Sequence, residues 1–356
     1  MIKYIGSKRT LVASIVGAIG AVDGARSVLD LFSGTSRVGH ALKAAGYRVT
    51  ANDHNAYAHV IATCYVAADR EDVVADAEPL LAELARLPGK AGYFTETFCE
   101  RARFFRPENG ARIDAIREEI EKKSLSPELR AVLLVALMEA ADRVDSTTGL
   151  QMAYLKQWAP RAANDLSLRM PDVLPRARNG KGSAHCLDAA LAASTLDADV
   201  AYVDPPYNQH SYLGNYHIWE SLVRWDKPEV YGVACKRVDV RERQSEFNSK
   251  RKFRAALEAV VRAIRAPVLV VSFNNEGYIA RPEMEALLGE RGVVQTLVTD
   301  FKRYVGAQIG IYAPSGAKVG AVGHLRNEEY LYVVSPHGVP ALGSRDWGVS
   351  HARAAT

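Results

Sequence analysis

The sequence predicts an α/β protein: a doubly wound, mostly parallel, Rossmann-like sheet interrupted by a largely helical insertion. Three observations predict it. Apolar runs alternate with helical patterns near both ends of the 356-residue chain, as parallel strands joined by crossover helices require. Several of those runs stop at an acid or a glycine-bearing turn, at the strand ends where open α/β sheets hold ligands. Between about Glu71 and Gly182 the alternation disappears.

Taken in order, Ser27 to Phe32 reads as a short buried strand, followed by the turn Ser33-Gly34-Thr35-Ser36. A helix from Val38 to about Ala45 stops at Gly46, a residue suited to the left-handed position beyond a helix end. Tyr47 to Asn52 is a second strand that ends at Asp53, and another helix runs through about Ala68. Glu71 to Asp145 is mostly helical. There Ser126 and Pro127 supply a cap and a first helical position, and Leu129, Val132, Leu133, Leu137 and Met138 recur broadly on one face. Ser146 to Gly182, with Pro160, Pro171 and Pro175, is irregular. Further strands are expected at Ala184–Leu187, Asp199–Val203, Pro267–Phe273, Val293–Val298 and Tyr330–Val334. The expected organisation is therefore one discontinuous sheet domain over residues 1–70 and 183–340, an insertion over 71–182, and a tail over 341–356.

A hydrophobic content of 48% and a charged content of 24% are ordinary for a globular protein. The net charge of +4 suits a polyanionic partner without demanding one. Cys64, Cys99, Cys186 and Cys235 form no C-x-x-C pair, so neither a zinc knuckle nor a disulfide framework is indicated, and no metal site is expected. Reduced thiols in a cytoplasmic protein are the expectation. Met1 to Lys8 carries no secretory pattern, and no apolar run is long enough to span a bilayer. Nothing in the sequence sets the oligomeric state.

Asp204-Pro205-Pro206-Tyr207 carries the most chemistry. It follows the apolar run that ends at Val203. The exocyclic amine of adenine or cytosine is a poor nucleophile because its lone pair is delocalised into the ring. Two acceptors aimed at its N–H bonds draw the nitrogen toward tetrahedral geometry, and acceptors fixed in advance help most. Asp204 and the Pro205 carbonyl can be those acceptors. Prolines stiffen the run and push the preceding residue toward extended backbone. Tyr207 can then stack on the base, as aromatics do around a flipped nucleotide. A proline turn capped by Asp204 with Tyr207 as packing uses the same four residues, so the tetrad gains weight from the motifs around it.

The turn after the first strand, Asp30-Leu31-Phe32-Ser33-Gly34-Thr35, lets backbone approach a ligand at a helix N-terminus. Asp53 ends the second strand, where an acid commonly takes ribose hydroxyls. The G-x-G-x-x-G phosphate fingerprint is absent, because Ser36 stands where a second glycine belongs. A nucleoside ligand without pyrophosphate, such as S-adenosylmethionine, fits that pattern. Asp188 suits two roles equally, acceptor for the cofactor's adenine amine or cap of the helix from Ala189.

Together these residues resemble the Dam-like, alpha-group family of DNA adenine-N6 methyltransferases, over most of the chain. Lys3-Tyr4-Ile5-Gly6-Ser7-Lys8 is similar to the family's N-terminal cofactor motif, Leu29 to Thr35 to its glycine motif, Asp53 to its ribose acid, and Asp204 to Tyr207 to its catalytic motif. Ser272 to Gly277 resembles the segment after its fifth strand. The resemblance implies S-adenosylmethionine as cofactor, held by Tyr4, Gly6, Lys8, Asp30, Phe32, Gly34 and Asp53, with Asp188 a further candidate from its place after a strand. It implies double-stranded DNA as substrate, a target-recognition region within the insertion, and a possible cognate restriction endonuclease. Ser36 departs from the family pattern, and an altered local backbone is expected there.

Two stretches are locally basic. The one containing Lys236, Arg237, Arg241, Arg243, Lys250, Arg251 and Lys252 begins soon after the tetrad and is expected to neutralise DNA phosphates. The stretch from Lys156 to Lys181 is a weaker candidate. Tyr212, Tyr216 and His217 either shape the base pocket or pack, and Trp219 is expected to pack. The reading is site-specific methylation of adenine N6. The alternatives are cytosine N4 in DNA, a base in RNA, and a DNA-binding protein that has lost catalysis.

Overall fold

Short strands of Val, Leu, Ala and Tyr covered on both faces build the centre of this protein. The computed structural model describes residues 1–338, apart from Ser7, His210, 303–310, 313–317 and 321–325; for 300–302, 311–312, 318–320 and 326–327 only the backbone is described. The expected tail lies outside the described residues.

Seven strands make the central sheet: β1 Ser27–Asp30, β2 Arg48–Asn52, β3 Ser183–His185, β4 Val200–Val203, β5 Val268–Asn274, β6 Val293–Lys302 and β7 Arg326–Ser335. Their spatial order is β3-β2-β1-β4-β5-β7-β6. The first five run parallel, with Val28 opposite Val49 and Val200, and Val200 opposite Val268. Strand β7 is antiparallel to both neighbours, placing Glu329 opposite Asn274 and Thr299. The start of β7 therefore lies at the end of the sheet where β1, β2, β4 and β5 finish.

Every residue of β1, β4 and β5 is buried, as expected of parallel strands covered on both faces. Val28, Val49, Val200, Tyr202, Val270 and Val333 face helices α1 (Val12–Gly20) and α2 (Arg37–Ala44). Leu29, Ala201, Val203, Leu269, Val271 and Tyr332 alternate to the other face. There they meet α7 (Ala189–Thr195), α9 (Phe253–Ala263) and α10 (Arg281–Gly289). Gly46 sits just past α2 at φ +96, the left-handed position expected of it.

After β2, α3 (Ala56–Ala62) continues as one wider turn, Thr63–Ala67. Between β2 and β3 the chain adds α4 (Arg70–Ala85), α5 (Pro107–Lys122) and α6 (Pro127–Val144), then an irregular run. The Ser126 hydroxyl accepts from the Leu129 N–H at 3.3 Å, the cap read from the sequence. The expectation of one apolar face on α6 is too narrow. Its unbroken stretch from Ala131 to Met138 is buried on all sides, making α6 the central helix of this region. Each fully buried Leu or Val there adds about 1.5–3 kcal/mol relative to exposure. This core runs without a break into α3 and into α8 (His217–Arg224), through Tyr57, Tyr65, Tyr216 and Trp219. Trp219 packs beside Phe105, with ring centroids 6.3 Å apart. Among the described residues no helix is long and apolar enough to cross a membrane.

Candidate active site

The strand order reverses at β1, with β2 on one side and β4 on the other, leaving a crevice at their carboxyl ends. A cleft of about 320 Å³ opens there, bordered by residues that include Tyr4, Asp30, Phe32, Gly34, Asp53 and Asp204. Gly6, Lys8, Asp188 and Pro206 border the same cleft, so all eight expected cofactor residues meet around one space.

Gly34 takes φ +49 and donates its N–H to Asp53 Oδ2 at 3.0 Å. A Cβ there would make only ordinary contact with the Tyr4 ring, at 3.4 Å, so it is the positive φ that suits glycine at this turn. Asp53 Oδ1 also accepts from the N–H and side-chain amide of Asn55, at 2.9 and 3.2 Å. Burial raises the Asp53 carboxyl, while these donors oppose the rise. Asp30 is buried, and its Oδ2 has no hydrogen-bond partner among the described residues. Burial, then the nearby Asp204 and Asp53 charges, push it from 3.8 up to about 8. Asp188 caps α7, accepting from the Ala190 N–H at 2.9 Å, while bordering the cleft. Phe32 meets Phe247 edge-on at 5.1 Å between centroids. Carboxylates on one wall and aromatic edges on another suit a cationic nucleoside.

Ser36 holds φ +54 and ψ +24, fully buried, with its hydroxyl lacking a partner among the described residues. Serine occupies the left-handed conformation that suits glycine.

The N-terminal segment threads across the site. Lys3 Nζ reaches Asp145 at 2.7 Å, anchoring the segment to the end of α6. Tyr4 lies between Tyr212 and Tyr216, with centroids at 5.2 and 4.4 Å and rings nearly parallel. The Ile5 N–H donates to the Tyr216 hydroxyl at 2.6 Å. Gly6 takes φ +71, and a Cβ there would lie 3.0 Å from the Tyr212 hydroxyl. Lys8 then points its ammonium at Asp204 Oδ1, 3.0 Å away, and at Glu329 Oε2, 3.7 Å away. Burial works to lower the Lys8 pKa, but Asp204, Tyr207 and Glu329 hold it well above its usual value. Burial raises Asp204, and Lys8 opposes that rise.

Tyr207 meets Phe273 edge-on at 5.2 Å, and its hydroxyl accepts from the Asn274 amide at 3.0 Å. Its ring is thus fixed from below by β5. Pro205 is buried and Pro206 half-buried. Glu329 escaped the sequence reading because the last strand was expected to begin at Tyr330. Its signal was an acid at the head of an apolar strand.

The basic stretch after the tetrad is split by the fold. Arg237 is buried and grips Asp226 through two contacts of 2.7 Å, and Asp239 through two of 3.0 Å. The expectation that it meets DNA is corrected: two carboxylates satisfy it inside the protein. Arg243 pairs with the buried Glu220 at 2.8 Å, and the other Glu220 oxygen accepts from the Tyr57 N–H. Arg243 thus braces the segment walling the cleft. Arg241 lies over the Tyr231 ring at 3.9 Å, and Lys252 pairs with Glu246 at 3.1 Å. Lys236 is half-buried, while Lys250 and Arg251 are exposed.

Residues 4–264 match the family described as D12 class N6 adenine-specific DNA methyltransferase. The chain belongs to this family. The D12 chain is 29% identical over 314 residues to the Type II methyltransferase M.NlaIII of Neisseria lactamica, covering 85% of this chain and 92% of that one. It is 30% identical over 320 residues to the Type II methyltransferase M.FokI of Planomicrobium okeanokoites, covering 83% of this chain and 48% of that one. It is 27% identical over 342 residues to the Type II methyltransferase M.CviAII of Paramecium bursaria Chlorella virus 1, covering 94% and 98%. The D12 chain spans about half the length of M.FokI and of the modification methylase StsI of Streptococcus sanguinis. Membership of a methyltransferase family implies a methyl donor.

Proposed function

We propose that this protein methylates N6 of a specific adenine flipped out of duplex DNA, with S-adenosylmethionine as donor. The observation that carries the proposal is the convergence of Asp204 and Tyr207 with the Gly34 turn, Asp30 and Asp53 around one cleft. The cleft's residues fit the donor: the carboxyl groups of Asp53 and Asp30, the latter with an unpartnered oxygen, would receive its hydroxyls and cationic groups, and Phe32 would offer its adenine an aromatic wall. Tyr4, Gly6, Lys8, Asp30, Phe32, Gly34, Asp53 and Asp188 would hold it, and it supplies the methyl group as an electrophile.

The chain's own groups do the rest. Asp204 and the Pro205 carbonyl accept from the two N–H bonds of the adenine amine and localise its lone pair. Tyr207, held by Asn274 and Phe273, stacks on the base. The rigid aromatic wall of Tyr4, Tyr212 and Tyr216 keeps water from the amine. Lys236, Lys250, Arg251 and Lys252 contact phosphates, Lys252 after exchanging Glu246 for one, and the helical region between β2 and β3 reads the sequence. We read the protein as cytoplasmic and as the partner of a cognate endonuclease.

The test is incubation with methyl-labelled S-adenosylmethionine and unmethylated DNA, then identification of the labelled nucleoside. Label in N6-methyladenine is expected, and Asp204→Ala should reduce it by about 10²- to 10³-fold, the usual effect of removing a preorganised polar group. Label in N4-methylcytosine, or only in RNA, overturns the assignment of the base.

A further inference from the structure

Asp204 is already engaged. Lys8 lies 3.0 Å from Oδ1, the oxygen nearest the arriving ammonium, and draws on charge that a base amine would need. An ammonium this buried cannot leave one anion without finding another. A second anion stands ready. Glu329 Oε2 is 3.7 Å from Lys8 Nζ and is buried without a hydrogen-bond partner among the described residues. At that distance the contact is too long for a hydrogen bond. A shift of about 1 Å would bring it to charge-assisted hydrogen-bond length. The antiparallel course of β7 sets Glu329 here, because its register with Asn274 brings an acid to the carboxyl end of the parallel strands. Asn274 in turn holds Tyr207. The charged and titratable groups facing the ammonium are Asp204, Tyr207, Glu329 and Tyr202.

We propose that Glu329 is a positioning residue for methyl transfer: it is the second counter-ion of Lys8, and it takes the ammonium off Asp204 when the base amine arrives. The inference rests on the methyltransferase reading and adds a residue and a role to it. Lys8 then has two stations, Asp204 in the free enzyme and Glu329 in the complex. Asp204 stays solvated by a cation until its substrate replaces that cation.

The test is single-turnover methylation by the wild type, Glu329→Gln, Glu329→Asp, Lys8→Met and the double variant Lys8→Met/Glu329→Gln. Thermal unfolding of each is recorded alongside. Glu329→Gln should lower the rate about 10- to 100-fold, as misplacing one catalytic contact by an ångström does, with little change in cofactor affinity. Glu329→Asp should recover part of that loss. With one anion gone and Lys8 committed to Asp204, the acid limb of the Glu329→Gln pH profile should move to lower pH. In the Lys8→Met background the Glu329→Gln change should have no further effect, because the two act as a unit. An unchanged rate in Glu329→Gln, or an equal loss in both backgrounds, overturns the proposal. Should Lys8→Met not fold, an unmoved acid limb and no recovery by Glu329→Asp overturn it instead. A wild type that methylates no base defeats the methyltransferase reading, and this proposal with it, at the first step.

Discussion

Ser36→Gly should stabilise this protein. An L-residue in the left-handed region costs roughly 1–2 kcal/mol, and Ser36 sits there at φ +54. Its buried hydroxyl, without a partner among the described residues, adds about 1–3 kcal/mol of uncompensated desolvation. Against this, glycine loses roughly 0.5–1 kcal/mol of backbone entropy, and removing the buried Cβ loses about 0.8 kcal/mol. At their midpoints these terms favour glycine by about 2 kcal/mol. For a chain of this length that raises the melting temperature by about 1–3 °C. Urea unfolding is the sharper assay, since a higher midpoint at unchanged slope reports stability alone. Ser36→Ala isolates the hydroxyl: it keeps the left-handed backbone and the Cβ, so it should gain about 1–3 kcal/mol from the lost desolvation alone. If Ser36→Gly unfolds at lower urea than the wild type, the turn is not strained by serine and the reasoning fails.

Asp30→Asn should change how stability depends on pH. The Asp30 carboxyl rises from 3.8 to about 8 on folding, so its favourable contribution is complete below the lower value and is lost as pH rises through the upper one. The variant should therefore gain on the wild type from about pH 4 to pH 8 and hold a constant margin above; thermal melts across that range would show a flat difference if Asp30 is ionised throughout. Arg237→Ala should destabilise the fold by about 1–3 kcal/mol, by removing the buried one of the two guanidiniums that Asp226 and Asp239 share, Arg224 being the other, while the folded fraction binds DNA as before. A selective loss of DNA affinity would return Arg237 to the interface. Lys250→Ala with Arg251→Ala should lower the slope of log affinity against log salt by about 2, near 0.9 for each phosphate no longer neutralised. An unchanged slope would move the interface elsewhere.

The sheet was legible because burial on both faces leaves its mark residue by residue: Val28, Leu29, Val200 and Val203 needed no partner to be read as strand. The Asp204 tetrad was legible because proline stiffness and a carboxylate speak for their chemistry locally. The basic stretch was not. A run of cations shows its charge but not its neighbours, and Arg237 and Arg243 met carboxylates from Asp226, Asp239 and Glu220 that folding brought to them. The mid-insertion helix was read as one-faced because its spacing permits that, whereas helices and loops on every side bury it.

Local residues alone therefore marked out the doubly wound fold, the Gly34 turn and the Asp204-Pro205-Pro206-Tyr207 run, because each is written in contiguous positions with their own backbone preferences. Only the tertiary structure decided which charges are free and which are spent inside. It set Lys8 between Asp204 and Glu329, whose positions lie far apart in the chain. The physical reason is that an ion's role depends on the nearest opposite charge. In this protein that charge arrives from an antiparallel strand whose register no local pattern records.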